Sequence, residues 1–431
     1  MEVLNAVNSK VGKNYNRWNC SIFHHDEIRE EILQNGIHVF NDNGHEVDIY
    51  VSGLIDASRL PTEERFCIIF MSAAISDRGS KDAPFFTGIE VGKKCNLPVV
   101  AISDPTLDID KKLNLGWYAG NINQIDLQDK LVKIVECITS KYELKPIFVG
   151  GSGGGFAAAQ LALNSAAQSF ALIFNPQTDI TKYHRLHVEK YLRLAFDTNV
   201  DLSSNTDEAI ALFERFSINY RLGESPVNSS TKILYLQNKS DSHLVSHAKP
   251  YLAGLSGGER RYGNYFRFSF VDFVVGNWGD GHHAPPVSEI VNVIQTIKNN
   301  DIDNLKLKFS LGSEDISWND FDKQKFFPFV VKIERSLKIE LIDSLFSSAP
   351  DPEFAICLYR NNNLVFQSDY QEDRTFYVGY VDFDSMKVFL KDGFGSILEQ
   401  SFNEIHIYKH RGFIYFFIKA RNRFLKWLSV K

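Results

Sequence analysis

The stretch KPIFVGGSGGGFAAAQLAL, residues 145–163, decides the fold of this chain. It opens with an apolar run at 146–150 that predicts a buried strand, and it continues after the glycines with small, helix-forming residues. Between the two, Gly150, Ser152 and Gly154 match the pattern G-x-S-x-G, in which a serine lies on a strained turn from strand to helix. Neighbours without side chains are needed at such a turn because they avoid clashes and permit unusual dihedral angles. We therefore predict that Ser152 is a nucleophile at the edge of a sheet.

A glycine-rich phosphate-binding loop is the alternative interpretation of the same residues. No Gly-Lys-Ser or Gly-Lys-Thr follows the run, and the spacing G-x-G-x-x-G is met only loosely. The sequence therefore favours the nucleophile.

Apolar runs rich in Val, Ile and Phe recur on both sides of this stretch and alternate with helix-like patterns. Strands that are apolar on both faces and separated by helices predict an α/β domain with a mostly parallel sheet and covering helices. The predicted strands lie at 46–53, 65–71, 97–103, 146–150, 169–175, 232–238 and 265–275. The predicted helices lie at 125–140, 154–167, 207–221 and 287–299.

The pattern of apolar and turn-forming residues changes after residue 300. Alternating or β-branched runs divided by Gly, Asn, Asp and Pro predict an antiparallel β-rich, sandwich-like domain. A chain of 431 residues has room for two domains. We predict an N-terminal extension at 1–43, a catalytic domain at 44–300 and the β-rich domain at 301–431.

Composition narrows the classes of function. A formal net charge of −6 gives no general attraction to nucleic acid, so no nucleic-acid partner is expected. The start of the chain lacks the pattern of a secretory signal, and no window approaches 18 uninterrupted apolar residues. The 5 cysteines are odd in number and lie mostly in apolar runs, which is typical of reduced thiols. We expect a cytoplasmic protein.

The last 23 residues, 409–431, form a basic, aromatic tail with seven Lys or Arg and no acid. Such a segment can lie on an anionic membrane surface, with its aromatic rings at the interface. This interpretation predicts peripheral contact with the inner membrane. The alternative is a final strand and helix that dock on the β-rich domain.

An acid and a histidine follow later strands in the order that a Ser-His-Asp triad requires. If Ser152 follows the fifth strand of such a fold, the acid follows the strand two further on and the histidine follows the last strand. The run at 232–238 is followed by Asp241, and the run at 265–275 is followed by His282. In this arrangement the histidine takes the serine proton while the carboxylate holds the imidazole in one tautomer.

Each assignment has an alternative. Asp241 could instead cap a helix that begins near His243, and Asp280 is a weaker candidate for the acid because it lies too near the histidine in sequence. His282 is preferred over His283, and both lie in a turn where a ring can swing over the nucleophile.

The oxyanion formed on attack needs backbone donors. These are typically the amide after the nucleophile, here Gly153, and an amide after the third strand, here Ala73 or Ala74. The alternative for the latter two is an ordinary loop of small residues.

Metal catalysis has little support in the sequence. His243 and His247 are four residues apart on a predicted helix, a spacing that suits a pair of metal ligands. The HExxH pattern and further ligands are missing, so no metal is expected.

With the serine turn, Asp241 and His282, residues 46–300 resemble the α/β-hydrolase superfamily. Three further segments resemble the XcbB/CpsF family of bacterial capsular polysaccharide biosynthesis proteins. They are FMSAAISDRGSKDAPFF at 70–86, PVVAISDPTL at 98–107 and LGWYAGN at 115–121. This second resemblance covers about the first 300 residues and implies a cytoplasmic enzyme that acts on a surface glycan or its precursor.

The second resemblance also implies residues that line the site. The candidates are Arg78, Asp104, Trp117 and Tyr118, which follow the third and fourth strands at the edge where ligands bind in open α/β sheets. Arg78 would hold an anionic phosphate or carboxylate, or else pair with Asp77 or Asp82. The two aromatic side chains could instead pack in the core or at the rim.

Three functions follow from these patterns. The leading one is a serine acyltransferase, similar to O-acetyltransferases, that acylates Ser152 and passes the acyl group to a hydroxyl of a capsular or surface polysaccharide or sugar precursor. No bound cofactor is expected, and acetyl-CoA is the candidate donor. The second is a carbohydrate esterase or other serine hydrolase with the same triad. The third is a non-catalytic capsule assembly protein that the β-rich domain and basic tail recruit to the membrane or to the capsule machinery.

Overall fold

The computed structural model describes residues 12–299, apart from 43, 204–205, 256 and 263–264, and a set of segments between 329 and 418. Those segments are 329–333, 338–343, 353–372, 375–378, 383, 385–391, 397–402, 405–410 and 413–418. The chain divides into two compact units, Met1–Ile316 and Ser317–Lys431.

The first unit is built on a sheet of 11 described strands. In chain order they are β1 (Ile22–His25), β2 (Gly36–Asp42), β3 (His45–Ser52), β4 (Phe66–Met71), β5 (Val99–Ile102), β6 (Lys145–Gly151), β7 (Phe170–Phe174), β8 (Lys232–Asn238), β9 (Gly257–Tyr262), β10 (Tyr265–Phe268) and β11 (Val271–Gly276). Their order across the sheet is β1-β2-β3-β5-β4-β6-β7-β8-β11-β10-β9.

The centre of this sheet is parallel. Strands β5, β4, β6, β7, β8 and β11 run in one direction, whereas β3 is antiparallel to both of its neighbours. Every residue of β4, β5 and β11 is buried, which accounts for their continuous apolar sequences. The predicted α/β class with a mostly parallel sheet is confirmed.

Helices connect and cover these strands. The described helices are α1 (Leu54–Ala57), α2 (Ile89–Cys95), α3 (Leu127–Tyr142), α4 (Ser152–Asn164), α5 (Arg185–Phe196), α6 (Asp207–Arg215), α7 (Lys249–Gly254) and α8 (Val287–Lys298). In α8, Ile290, Val293, Ile294 and Ile297 are buried at the three- and four-residue spacing of one helix face. The helix predicted at 207–221 ends earlier, at Arg215.

Two further differences from the sequence predictions lie within the sheet. The segment predicted as an N-terminal extension supplies β1 and β2, which join the sheet beside β3. The run at 265–275, predicted as one strand, is the hairpin of β10 and β11. Its turn contains Ser269, whose φ of 44° lies in the left-handed region that reverses the chain.

The second unit is antiparallel in its described strands, as the sequence predicts. These are β12 (Phe329–Ile333), β13 (Lys338–Asp343), β14 (Glu353–Arg360), β15 (Asn363–Gln367), β16 (Thr375–Tyr377), β17 (Ser385–Lys391), β18 (Ile397–Phe402), β19 (Ile405–His410) and β20 (Phe413–Ile418). They form sheets of order β12-β13-β16, β15-β14-β17-β18 and β19-β20. The basic tail begins within the β19–β20 hairpin, and its residues 419–431 lie outside the described residues.

Within the described part of the chain, no helix combines the length and apolar character needed to cross a bilayer. All five cysteines fall in that part and are free thiols, and Cys67, Cys95 and Cys357 are buried.

Candidate active site

Ser152 lies at the junction of β6 and α4 in a strained backbone conformation. Its φ is 54°, in the left-handed region that residues with a side chain seldom adopt. The two glycines of the pattern are required by close approach, because a Cβ on Gly150 would lie 2.2 Å from the Gly154 oxygen and one on Gly154 would lie 2.5 Å from the Met71 oxygen. The serine therefore lies on the sharp strand-to-helix turn known as a nucleophile elbow.

The order of the strands around this elbow identifies the architecture. Ser152 follows β6, with β4 and β7 as its neighbours in the parallel sheet, and a single antiparallel strand, β3, lies beyond β5. The first unit has an α/β-hydrolase fold.

The Ser152 hydroxyl accepts a hydrogen bond from Gln177, a residue that the sequence analysis missed. Gln177 Nε2 lies 2.9 Å from Ser152 Oγ, and the Gln177 side chain is 0% exposed. Its Oε1 accepts a hydrogen bond from Trp117 Nε1 at 3.1 Å. Because an indole nitrogen only donates, this contact turns the NH₂ of the amide towards the serine. Gln177 follows β7 at the carboxyl edge of the sheet, and that position is the signal that could have identified it.

Asp241 and His282 form a hydrogen-bonded pair after β8 and β11. His282 Nδ1 lies 2.6 Å from Asp241 Oδ2, and the Asp241 side chain is 1% exposed whereas that of His282 is 46% exposed. Burial raises the pKa of Asp241, but the hydrogen bond from His282 and the charges of His243 and His282 more than offset it and hold the pKa below its usual value. The carboxylate therefore stays ionised beside the ring, and the ring Nδ1 carries a proton.

The other candidates for acid and base lie apart from this pair. Asp280 is exposed, and the ring of His283 lies against Gly279. The Asp241 carboxylate also accepts the N–H of His243 at 3.0 Å, so the cap-like contact considered as its alternative role exists beside the contact to His282.

No hydrogen bond joins Ser152 to His282, although both lie among the described residues. Such contacts are often long in a resting enzyme and shorten when substrate binds. Ser152, Asp241 and His282 follow the parallel strands β6, β8 and β11, so all three lie at the carboxyl edge of the sheet that the sequence predicts.

Two asparagines that the sequence analysis also missed fix the loop that carries His282. Asn238 Nδ2 donates to the oxygens of Gly279 at 2.8 Å and of Gly281 at 2.7 Å. Asn175 Nδ2 donates to the oxygen of His283 at 2.7 Å. Both asparagines are buried and end or follow a strand, so the sheet itself holds the loop.

The predicted oxyanion donors lie at the start of α4 and just after β4. Gly153 is in the first turn of α4, where N–H groups have no partner within the helix. Ser72 N is used by the hydroxyl of Tyr118 at 2.7 Å, whereas the amides of Ala73 and Ala74 make no hydrogen bond among the described residues. Those amides are therefore available to a ligand.

Arg78 does not present its charge at the site. It is 3% exposed, and its guanidinium donates to the backbone oxygens of Lys81 and of Leu107 and stacks on Phe85. Burial lowers its pKa. Neither of the two salt bridges considered for it forms within the described residues. Arg78 braces the loop after β4, and its expected role in binding an anion is not supported.

Trp117 and Tyr118 are buried, and both hold other residues near Ser152 in place. Both have positive φ, 52° and 56°, a conformation that residues with a side chain seldom adopt. Trp117 fixes Gln177, and Tyr118 bridges Ser72 N to the oxygen of Ile102. Core packing, considered as their alternative role, therefore describes them better than contact with a ligand.

Asp104 holds the segment after β5 in place, and its carboxyl group makes the stability of the fold sensitive to pH. Its carboxylate accepts the N–H groups of Thr106 and Tyr118 at 3.0 Å each. Burial raises the pKa of Asp104 from 3.8 to about 6, although these hydrogen bonds act in the opposite direction. The folded protein therefore keeps a proton on Asp104 in a pH range where the unfolded chain has lost it.

This shift predicts a loss of stability as pH rises. Relative to Asp104→Asn, the free energy of unfolding of the wild type should fall by about 2 kcal/mol between pH 4 and pH 7, because protons bound only in the folded state favour folding at low pH. Denaturant unfolding of both proteins across this range provides the measurement. Parallel curves would contradict the assignment.

Three of the polar side chains form a group with metal-ligating atoms. One ligand atom from each of Asp241, His243 and His282 lies within 4.8 Å of the other two. The pair considered from the sequence, His243 and His247, has ring centroids 4.7 Å apart. The structure therefore brings His243 together with Asp241 and His282, which spacing along a helix did not indicate.

Comparisons with known proteins find similar structures at low identity. The chain is similar to the Glycosylation Associate Protein (Gap123) complex from Streptococcus agalactiae, with 14% identity over 64% of this chain and 48% of that one and a TM-score of 0.41. It thus spans about half the length of that protein. It is also similar to the capsule O-acetyltransferase of Neisseria meningitidis serogroup A, with 15% identity over 63% of this chain and 98% of that one and a TM-score of 0.41.

A third similar structure is the dienelactone hydrolase from Anabaena variabilis, with 11% identity over 61% of this chain and 94% of that one and a TM-score of 0.34. No protein-family model matches the chain, and no curated protein sequence does. The resemblance to the XcbB/CpsF family therefore stays a prediction.

Proposed function

We propose that this chain is a serine acyltransferase of the O-acetyltransferase kind, which modifies a bacterial capsular or surface polysaccharide or its sugar precursor. The observation that carries the proposal is the 2.6 Å contact between Asp241 and His282 at the sheet edge that also holds the Ser152 elbow. A hydroxyl, a carboxylate and an imidazole in the chain order Ser, Asp, His are the groups that acyl transfer through serine requires.

In the first half-reaction the serine is acylated. His282 removes the hydroxyl proton as Oγ attacks the carbonyl carbon of the donor, with its Nδ1 still bonded to Asp241. The oxyanion accepts hydrogen bonds from Gly153 N and from the amide of Ala73 or Ala74. Collapse breaks the bond to the leaving group, which takes the proton from His282. With acetyl-CoA as donor, the leaving group is the CoA thiol.

In the second half-reaction the acyl group leaves the serine. His282 removes a proton from the acceptor hydroxyl, whose oxygen attacks the ester carbon, and the same backbone donors hold the oxyanion. The ester bond to Ser152 then breaks, and Oγ takes the proton back from His282. Asp241 keeps the ring in the required tautomer and stabilises its positive charge in both halves.

Gln177 adds a feature to this mechanism. Because its NH₂ donates to Ser152 Oγ, the hydrogen of the serine hydroxyl is left for another acceptor, the imidazole. The same donor stabilises negative charge on Oγ when the oxygen loses its proton and when it leaves the acyl group. A buried hydrogen bond to a charged atom contributes more than one to a neutral atom, so this contact favours the transition state.

Replacing Gln177 should therefore slow turnover more than it weakens binding. In Gln177→Leu we expect kcat to fall about tenfold with KM nearly unchanged, and Trp117→Phe, which frees the amide to rotate, should give a smaller fall in the same direction. The matched control is Gln160→Leu, a buried glutamine of α4 that does not contact the serine. Equal effects of the Gln177 and Gln160 changes would show that the contact has no role in catalysis.

A sugar acceptor is supported by the segments at 70–86, 98–107 and 115–121, which resemble capsule biosynthesis proteins. The decisive experiment incubates the purified chain with acetyl-CoA and a panel of glycan acceptors, and in parallel with p-nitrophenyl acetate alone. Transfer to glycan that depends on Ser152 supports the proposal. Hydrolysis of the small ester without transfer points to the second function, an esterase with the same triad.

A non-catalytic capsule assembly protein is the remaining alternative. It would give folded protein that neither turns over esters nor reacts with a fluorophosphonate. Intact-mass detection of an acyl adduct on Ser152 after exposure to acetyl-CoA would rule it out.

A further inference from the structure

His243 lies against the Asp241–His282 pair and has no part in the acyl-transfer mechanism. The ring centroids of His243 and His282 are 4.5 Å apart. A ligand atom from each histidine and a carboxylate oxygen of Asp241 lie within 4.8 Å of one another. The catalytic assignment explains two of these three side chains, and the third gives the group the donors of a metal site.

The His243 ring is held as the rings of metal-binding histidines are held. Its Nδ1 lies 2.9 Å from the oxygen of Asn175, and because a carbonyl only accepts, Nδ1 carries the hydrogen. The Nε2 of the neutral ring then has a free lone pair, and no hydrogen bond of the described residues uses it. Donation of the second ring N–H to a backbone carbonyl commonly fixes the orientation of a metal ligand.

Asp241 is held in a similar way. One carboxylate oxygen accepts the backbone N–H of His243 at 3.0 Å, so the carboxylate and the His243 ring are fixed within the same turn of chain. The other oxygen faces His282 at 2.6 Å. Two of the three ligands are thus buried and preorganised, and the third has a side chain 46% exposed, which gives an ion a path from solvent.

The distances suit a small metal ion after a modest contraction. Ligands of a tetrahedral Zn²⁺ with bonds of about 2.0–2.1 Å lie roughly 3.3 Å from one another, so the widest pair here needs to close by about 1.5 Å at most. The 2.6 Å hydrogen bond between Asp241 and His282 has to open as the metal binds, and binding through His282 Nδ1 would release its proton. The exposed His282 side chain can make most of that movement. Two imidazoles and one carboxylate are a donor set that favours Zn²⁺ over Mg²⁺ or Ca²⁺.

We propose that Asp241, His243 and His282 form a site for Zn²⁺ or a similar divalent transition metal, with water in the fourth position. The consequence for activity rests on the proposed function. A His282 nitrogen that is bound to metal cannot accept the serine proton, so the metal acts as a reversible inhibitor of the same site.

Metal binding is tested on the full chain with Co²⁺, whose visible absorption reports tetrahedral ligation, and with Zn²⁺ in competition. We expect one metal per chain, with an affinity at least about tenfold lower in His243→Ala and in His282→Ala. The control is His283→Ala, which removes the adjacent histidine and should bind as the wild type does. His282 is exposed, so its variant tests the site even if the buried His243 variant does not fold.

Two results would overturn the metal site. One is the absence of tetrahedral Co²⁺ binding in the wild type, and the other is equal binding by the His282 and His283 variants.

An activity assay distinguishes failure of the metal site from failure of the proposed function. If the wild type turns over ester but binds no metal, only the metal site is lost. If it binds Co²⁺ as expected but neither turns over ester nor reacts with a fluorophosphonate, only the acyltransferase is lost. Ester turnover that falls with Zn²⁺ and returns with EDTA supports both.

Discussion

Replacing Ser152 by alanine is expected to abolish labelling by a fluorophosphonate probe and to lower ester turnover by about 10⁴-fold or more. The reason is that no other described side chain takes the place of Oγ on the elbow, and loss of a serine nucleophile removes nearly all rate enhancement beyond that of the oxyanion donors. Gel fluorescence after labelling and steady-state assays measure the two effects.

Ser165→Ala is the matched control for this change. Ser165 is buried directly after the last residue of α4, so its change to alanine tests the general effect of removing a hydroxyl next to the same helix. It should label and turn over as the wild type does. Labelling that persists in Ser152→Ala would place the nucleophile elsewhere and would end the acyl-transfer proposal.

Exchanging the Asp241 carboxylate for an amide in Asp241→Asn should lower kcat by about 10⁴-fold with little change in fold. The amide can present an N–H to His282 Nδ1, which then accepts, and the ring turns its protonated Nε2 towards the serine. An imidazole in that tautomer cannot act as the base. Steady-state kinetics and circular dichroism of the purified variants provide the measurement.

The neighbouring acid gives the control. Asp280→Asn changes an exposed carboxylate in the same loop as His282, and we expect it to keep wild-type kcat. The reverse pattern, with activity lost in Asp280→Asn and kept in Asp241→Asn, would show that the acid has been assigned to the wrong residue.

The elbow and the parallel sheet could be predicted because their signals are local. A G-x-S-x-G pattern between an apolar run and a small-residue helix defines Ser152 without reference to the rest of the chain. The positions of Asp241 and His282 then follow from strand order, since the ends of parallel strands meet at one edge. For that reason Asp241 Oδ2 and His282 Nδ1 lie 2.6 Å apart, although the two residues are 41 positions apart in sequence.

Other parts of the site depend on contacts that leave no periodic signal. Gln177 is an ordinary polar residue after a strand, and only its position beside Ser152 and Trp117 gives it a role. Arg78 shows the opposite case, a residue whose sequence position suggests a role that its contacts do not support. An arginine after a strand resembles an anion-binding residue, but in the structure its guanidinium donates to backbone oxygens.

The sheet edges were the least predictable part of the fold. The strands at 22–25 and 36–42 lie in a segment with many polar residues, so neither gave a clear apolar run. The run at 265–275 is mostly apolar and aromatic, with Arg267, Ser269 and Asp272 spread along it, and no Gly, Pro or Asn marks the reversal at Ser269. Whether such segments form strands depends on pairing with neighbouring strands more than on the intrinsic β-propensity of their residues.

The asparagines that end or follow β7 and β8 have a consequence for engineering. Asn238 and Asn175 bond the backbone of residues 279, 281 and 283, so the segment with the imidazole is anchored by its neighbours and not by its own sequence. To graft that segment onto another scaffold, the side chains of both asparagines would have to be transferred as well. Directed evolution of this chain should likewise find new specificities in loops that these amides do not hold.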